Sequence, residues 1–200
     1  MMYRLLETIF PSLTWRYKSK EKVVYLTFDD GPNKELTPFV LDNLKSFNAK
    51  ATFFLTGQNV VKEYALFEQI KTEGHSVGNH SYSHLNGWMT TNKSYFSDID
   101  KCDKILNSKL FRPPYGKIRP SQINFLKKKY EIIMWDVLSW DFDTKISAEK
   151  CLSMLLKKIK SGSIVVFHEN EKSAINMKFA LPRLLQSMYT LPSLRHVAMT

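Results

Sequence analysis

Short apolar runs alternate with stretches of helical periodicity along most of the chain. The strand-like runs are VVYLTF (23–28), ATFFLT (51–56), SVGNH (76–80), LFRPP (110–114), EIIMWDV (131–137), SIVVFH (163–168) and RHVAMT (195–200). Between most of them, apolar residues recur at the spacing of a helix, as in TPFVLDNLKSF. In SAEKCLSMLLKKIKSG, Ser147 is placed to cap the helix and Gly162 to close it. This alternation predicts an α/β fold with a parallel sheet.

The chain of 200 residues has the length of one domain and shows no internal repeat or linker. We expect residues 22–200 to form that domain and residues 1–21 to pack on it as an amphipathic segment. Arg4 and Glu7 interrupt the apolar residues of this segment, which makes it a poor secretory signal. No apolar run approaches the roughly 20 residues that span a membrane. These features predict a protein without a membrane span, cytoplasmic by default.

The formal net charge of +10 could favour an anionic partner. The lysine clusters, however, fall in helix-like segments (127–129 and 157–160), where they are typical of solvated faces. No basic stripe with interleaved aromatic residues accompanies them, so we expect no nucleic-acid partner. Cys102 and Cys151 are too few for a disulfide framework, and we expect both to be reduced and buried.

The side chains best suited to catalysis follow the ends of five predicted strands. They are Asp29 and Asp30, His80 and His84, Arg112 and Tyr115, Asp141, and His168. The carboxyl ends of strands are where α/β proteins build their sites. An open sheet spreads these ends along a line, whereas a barrel gathers them around one mouth. Five contributing strands therefore favour a barrel, with about seven strands in place of the usual eight.

Two adjacent aspartates end the first of these strands, in LTFDDGP. Neighbouring side chains of a strand point to opposite faces, so Asp29 and Asp30 could not share one cavity within it. We expect Gly31 and Pro32 to end the strand, which would let both carboxylates turn the same way. The same residues also fit an ordinary turn without chemistry.

The sequence HSYSH places His80 and His84 four residues apart. Two imidazoles and one carboxylate form a common three-ligand site for a divalent metal, with one position left open. Such a pair of histidines alone is structural about as often as it is functional. A nearby carboxylate from LTFDDGP favours the metal site.

The motifs TFDDGP, HSYSH, RPPYG and VVFH follow one another between residues 22 and 186. This combination resembles the polysaccharide deacetylases that share the NodB homology domain, carbohydrate esterase family 4. The resemblance implies a single-domain, deformed (β/α)7 barrel that removes acetyl groups from N-acetylated amino sugars of a glycan in a metal-dependent reaction. An O-acetyl esterase acting on a polysaccharide and a non-catalytic glycan-binding barrel are the alternatives. The family also points to the cell envelope, although no export signal is visible.

The resemblance assigns roles residue by residue. Asp30, His80 and His84 would bind one divalent ion, with zinc preferred. Asp29 would be the catalytic base, braced by a bidentate Arg112, and His168 the general acid, oriented by Asp141. The backbone N–H of Tyr115 would stabilise the oxyanion, and the substrate would contact Pro113, Trp140 and Val166.

Four positions depart from the usual family pattern. Leu138 stands where many members have aspartate, Phe142 where tryptophan is usual, Val166 where leucine is common, and Glu169 where aspartate is frequent. None removes a ligand or a catalytic group, so we expect them to reshape the substrate pocket. Trp135 is predicted to lie in the core. The identity of the polymer and the oligomeric state are not determined by these patterns.

Overall fold

Strands and helices alternate as predicted in a computed structural model that describes residues 6, 8–18, 23–190, 195–196 and 199. The strands are β1 (Leu13–Thr14), β2 (Val23–Asp29), β3 (Thr52–Leu55), β4 (Ser76–Asn79), β5 (Leu110–Phe111), β6 (Glu131–Ile133), β7 (Val137–Leu138), β8 (Ile164–His168) and β9 (Arg195–His196). The helices are α1 (Leu36–Ser46), α2 (Gly57–Lys62), α3 (Tyr64–Thr72), α4 (Asn92–Leu106), α5 (Pro120–Leu126), α6 (Ala148–Lys158) and α7 (Ala174–Thr190). A single 3₁₀ turn covers Pro114–Gly116.

Eight of the strands form one curled parallel sheet in the order β1-β6-β5-β4-β3-β2-β8-β7, and β9 pairs separately with β2. Helices connect most successive strands, as parallel pairing requires. The sheet curls into a half-barrel in which no pairing of described residues joins β1 to β7, although Arg16 forms an isolated bridge with Ser163. This arrangement confirms the predicted deformed (β/α)7 barrel, and it brings the carboxyl ends of the strands to one side.

The run EIIMWDV does not form one strand, contrary to prediction. It divides into β6 and β7, which pair with β5 and β8 on opposite sides of the sheet. The chain crosses between them at Asp136, whose carboxylate accepts hydrogen bonds from Ile164 N–H and the Ser163 hydroxyl. The strand predicted at 110–114 is also shorter, because two prolines that cannot donate ladder hydrogen bonds follow β5.

The N-terminal segment contributes a strand that the sequence pattern did not predict. β1 pairs with β6, and Leu13 and Trp15 are buried beside it. Residues 1–5, 7 and 19–21 of the predicted segment lie outside the described residues. So do residues 197, 198 and 200 of the last predicted strand.

The main core lies between the sheet and its helices. At its centre Phe28 stacks between Phe53 and Phe167, with ring centroids 5.2 and 5.8 Å apart. Cys102 and Cys151 are free and buried in this core, as predicted, and burial raises the pKa of both thiols to about 12. No helix in the described part of the chain is long and apolar enough to cross a membrane.

Candidate active site

One cavity of about 640 Å³ opens where the strand ends converge. Its described lining comprises Asp29, Asp30, His80, His84, Pro113, Tyr115, Trp135, Leu138, Phe142, His168, Asn170, Glu171 and Lys172. Most of the residues singled out from the sequence are therefore brought together. Arg112 and Asp141 lie beneath the cavity, fully buried, where each contacts one of its residues.

The end of β2 falls between the two adjacent aspartates. Asp29 is still within the strand, and its register partner on β8 is His168. Asp30 is the first residue outside it and has a left-handed backbone, with a φ of 76°. The strand therefore ends at Asp29, before Gly31 and Pro32, and extends one residue beyond the predicted run 23–28. The left-handed turn at Asp30, not the glycine, lets both side chains line one cavity.

Asp30, His80 and His84 form a cluster with metal-ligand geometry. The Oδ1 atom of Asp30 lies 3.1 Å from Nε2 of His84 and 3.7 Å from Nε2 of His80. Two tetrahedral zinc ligands at ordinary bond lengths lie about 3.3 Å apart, between these two distances. Oδ1 is buried, and among the described residues the only groups close to it are the two imidazole nitrogens, neither of which is aligned for a hydrogen bond. An orphaned carboxylate oxygen facing two imidazole nitrogens fits a bound cation, so these three residues can hold a divalent metal.

The environment of His80 prepares Nε2 for that role. Its Nδ1 lies 2.7 Å from the carbonyl oxygen of Arg112, which can only accept, so Nδ1 carries the proton. Burial lowers the pKa of His80 to about 4 and keeps the ring neutral. The lone pair of Nε2 is then free for a metal, in the arrangement usual for ligating histidines.

The loop between the two histidines is held by residues that the sequence motifs did not reveal. Asp98, on α4, accepts hydrogen bonds from the backbone N–H groups of Tyr82 and Ser83, both at 2.9 Å. Asn79 accepts another from Ser81 N–H at 2.8 Å. A carboxylate inside a helical segment normally indicates a solvated face, so no local signal identified Asp98 as a support of the site.

Asp29 is held by the buried guanidinium of Arg112. One hydrogen bond of 2.7 Å joins Arg112 Nη1 to Asp29 Oδ1. The bidentate pair expected from the sequence does not form, because the other donors bind Thr27 Oγ1 and the carbonyl oxygens of Ile133 and Met134. The guanidinium is thereby fixed at several points and holds Asp29 in place through one hydrogen bond.

His168 is paired with Asp141 as predicted. Its Nδ1 donates to Oδ1 of Asp141 and its backbone N–H donates to Oδ2, both at 2.8 Å. The Ser139 hydroxyl and the backbone N–H of Phe142 also donate to Oδ1, so Asp141 has little freedom to move. Burial would lower the pKa of His168, but the charge and hydrogen bond of Asp141, with Asp29 and Asp30, raise it to about 9. The imidazole is therefore protonated at neutral pH and can give up a proton.

The predicted substrate contacts are placed less uniformly. Pro113 and Tyr115 line the cavity, and the ring centroids of Tyr115 and His84 are 4.5 Å apart. Trp140 and Val166 are not among the described residues of the lining. Val166 is fully buried within the sheet, two residues before His168, whereas the indole of Trp140 packs on Phe142 and is 39% exposed.

Three other side chains give the cavity an apolar wall. Leu138 and Phe142, two of the departures from the family pattern, both line it. Trp135 also lines it, although its place within a predicted strand had indicated the core. The chain between β6 and β7 leaves the sheet at this residue, which exposes one side of the ring to the cavity.

Glu169 is a buried carboxylate with few hydrogen-bond partners. It is 2% exposed, and among the described residues only the Thr37 side chain, which lowers its pKa, interacts with it as a donor. It packs against Gly31 so closely that a Cβ there would lie 1.9 Å from Oε2. Burial, together with the charges of Asp30 and Asp29, raises the pKa of Glu169 to about 8. The group is therefore neutral in the folded protein near pH 7.

We expect Glu169 to destabilise the fold as the pH rises. Its folded pKa of about 8 lies well above that of an unfolded glutamate, so stability is lost between roughly pH 4.5 and 8. Relative to Glu169→Gln, the wild type should lose on the order of 3 kcal/mol of unfolding free energy from pH 5.5 to 8.5. Urea denaturation of both proteins at pH 5.5 and 8.5, with a chelator present to keep them metal-free, measures this difference.

The exposed Glu171, two residues further on, supplies the control for this comparison. Glu171→Gln should follow the wild-type dependence on pH. Parallel curves for Glu169→Gln and the wild type would show that Glu169 is not neutral in the folded state.

The chain matches a known family over a range that contains Asp29, Asp30, His80, His84 and Arg112. The family model described as polysaccharide deacetylase matches residues 16–131, more than half of the chain. The chain belongs to the polysaccharide deacetylase family. This agrees with the resemblance of its motifs and with the geometry of the cavity.

Related deacetylases share both sequence and fold with the chain. A peptidoglycan-N-acetylglucosamine deacetylase from Bacillus cereus is 40% identical over 152 residues, which cover 72% of this chain and 55% of that protein. The chain thus spans about half the length of this relative. The crystal structure of a peptidoglycan N-acetylglucosamine deacetylase bound to a benzamide ligand has a TM-score of 0.90 at 32% identity. It covers 97% of this chain and 94% of that chain.

A structural neighbour without activity also exists. A pseudoenzyme of carbohydrate esterase family 4 from Bacillus anthracis has a TM-score of 0.81 at 25% identity, covering 92% of this chain and 66% of that one. This fold therefore occurs without catalysis, and only the side chains of the site can indicate an activity.

Proposed function

We propose that the protein is a metal-dependent deacetylase that hydrolyses the acetamide of N-acetylated amino sugars in a glycan and releases acetate. This proposal rests on two hydrogen-bonded pairs of side chains that lie beside one three-ligand cluster. Asp29 with Arg112 and His168 with Asp141 both adjoin the cavity that Asp30, His80 and His84 line. A base, an acid and a cation site together are what hydrolysis of an unactivated amide requires.

A divalent ion held by Asp30, His80 and His84 would polarise the acetyl carbonyl and make water more acidic. Asp29, held in place by Arg112, accepts the proton of the attacking water. The backbone N–H of Tyr115 donates a hydrogen bond to the oxygen that gains negative charge. His168 then donates its proton to the departing nitrogen.

The contacts of the two pairs support these directions of proton transfer. Arg112 is fully buried and holds Asp29 through a hydrogen bond. The charge of Asp141 favours the protonated ring of His168, with a pKa raised to about 9. The nitrogen of an amide leaves poorly unless it is protonated. A protonated histidine beside that nitrogen therefore favours hydrolysis of an amide over that of an ester.

A non-catalytic glycan-binding barrel is the competing function, since one structural neighbour is a pseudoenzyme. Sugar binding alone has no need of a base and an acid held by separate buried partners. The complete set of side chains in this chain therefore supports activity. Several relatives are named for peptidoglycan, which supports a cell-wall glycan as substrate and the cell envelope as the place of action.

Acetate release from three acetylated polymers tests the proposal and its substrate class. N-acetylated chitooligosaccharides, peptidoglycan and acetylated xylan should be compared at equal acetyl concentration. We expect release from one or both N-acetylated substrates to exceed release from xylan. Release from none of them would contradict the proposed activity, and release from xylan alone would make the protein an O-acetyl esterase.

Asp141→Asn should move the basic limb of the pH–rate profile to lower pH. The negative charge of Asp141 raises the pKa of His168, so its loss lets the imidazole give up its proton at lower pH. We expect a shift of about one pH unit or more in kcat/KM on an N-acetylated oligosaccharide. A basic limb that stays in place would exclude His168 as the group that titrates there.

A further inference from the structure

The carboxylate of Asp30 is held by a residue outside the proposed metal ligands. Asn170 Nδ2 donates a hydrogen bond to Asp30 Oδ2, with a distance of 2.8 Å. A second amide, that of Asn59, donates to the backbone oxygen of Asp30 at 2.7 Å. Oδ1 has no well-aligned donor within the part of the chain that the structure describes, and it lies towards His80 and His84. The two carboxylate oxygens therefore have different environments.

The Asn170 side chain is itself fixed in orientation. Its Oδ1 accepts a hydrogen bond from the backbone N–H of Ser173, at 3.2 Å. Because the amide oxygen is engaged there, the amide nitrogen is the atom that faces Asp30. The Ser173 hydroxyl contacts the carbonyl oxygens of His168 and Asn170, which closes the turn after β8. The donor that reaches Asp30 is thus part of a rigid turn.

This restraint matters because a carboxylate can bind a cation through one oxygen or through both. Asp30 also has the left-handed backbone expected of few non-glycine residues, so its side-chain direction needs support from neighbours. With Oδ2 engaged by Asn170, Oδ1 is the oxygen without a well-aligned donor among the described residues, and it faces the two histidines that would share the cation. One-oxygen binding leaves more room for a substrate at the same ion.

We propose that Asn170 is a positioning residue that fixes Asp30 as a one-oxygen metal ligand. The inference rests on the metal site of the proposed function and extends it to a residue beyond the ligands. Partners that orient a ligand in this way typically contribute 10- to 100-fold to metal affinity. Since Asn170 follows His168 by two residues, the same turn also couples the position of the acid to that of the metal site.

Zinc affinity of the full chain, measured by competition with a chromophoric chelator, tests the role of Asn170. We expect Asn170→Ala to bind zinc about 10- to 100-fold more weakly than the wild type. The visible spectrum of the Co²⁺-substituted protein should also change, because Asp30 would be free to turn or to bind through both oxygens. Asn170→Ser, whose hydroxyl is too short to reach Asp30, should behave in the same way if the alanine variant does not fold.

A matched control is Asn43→Ala, which removes an amide that donates a 2.8 Å hydrogen bond to the Phe39 carbonyl in α1, away from the cavity. It should leave zinc affinity and the cobalt spectrum unchanged. Zinc affinity of the Asn170 variants within about twofold of the wild type, or an unchanged cobalt spectrum, would overturn the inference. A wild-type chain that binds no zinc would instead contradict the proposed metal-dependent function. Normal zinc binding without acetate release would contradict the proposed activity and leave the role of Asn170 intact.

Discussion

Replacing Asp29 by asparagine is expected to lower turnover on an N-acetylated glycan by about 10² to 10⁴-fold while the metal stays bound. Asparagine keeps the oxygen that accepts from Arg112 but cannot take a proton from water. The metal-facing oxygen belongs to Asp30, so the cation site is not altered. Acetate release and metal content should be measured on the same preparation.

Asp30→Ala is the comparison that separates the roles of the two aspartates. It removes the carboxylate of the three-residue cluster, so both metal and turnover should be lost. Equal loss of metal in the two variants would show that Asp29 and Asp30 do not divide base and ligand between them. The thermal stability of each variant needs to be recorded, because Asp29→Asn leaves the buried Arg112 without a neutralising charge.

Replacing His168 by alanine should affect amides far more than activated esters. We expect turnover on an N-acetyl sugar to fall by about 10² to 10⁴-fold, the usual contribution of general acid–base catalysis. An aryl acetate has a leaving group that needs little protonation, so its hydrolysis should fall much less. The ratio of the two rates in wild type and variant is the informative quantity.

Equal losses on the amide and the aryl ester would contradict the role of His168 as the acid. The histidine would then act on a step common to both substrates, such as positioning. Ser139→Ala offers a control for packing, because it removes the two hydrogen bonds between the Ser139 hydroxyl and Asp141 and leaves the bond between His168 and Asp141 in place. It should change the ratio of the two rates little.

The sequence predicted the barrel and the composition of its site because both depend on local patterns. Strand-like runs alternate with helical periodicity, and the chemically capable residues follow the strand ends. The convergence of those ends at one cavity is then a consequence of parallel pairing in a curled sheet. The pairing of β2 with β8, for instance, makes Asp29 and His168 neighbours although 138 residues lie between them.

What the sequence did not predict depends on contacts between distant segments. β1 is two residues long and is visible only through its pairing with β6. The division of EIIMWDV follows from pairing with strands on opposite sides of the sheet, which periodicity cannot show. Asn170 and Asp98 support the cation site through hydrogen bonds from other elements, and neither belongs to a recognisable motif.

We propose that deacetylation requires one divalent ion held by Asp30, His80 and His84. The most direct test of this claim is to prepare metal-free protein, add zinc in steps, and measure bound zinc and acetate release from an N-acetylated substrate in each sample. We expect activity to rise in proportion to bound zinc and to level off at one ion per chain, with no rise in His84→Ala. Full acetate release by the metal-free protein would contradict the claim.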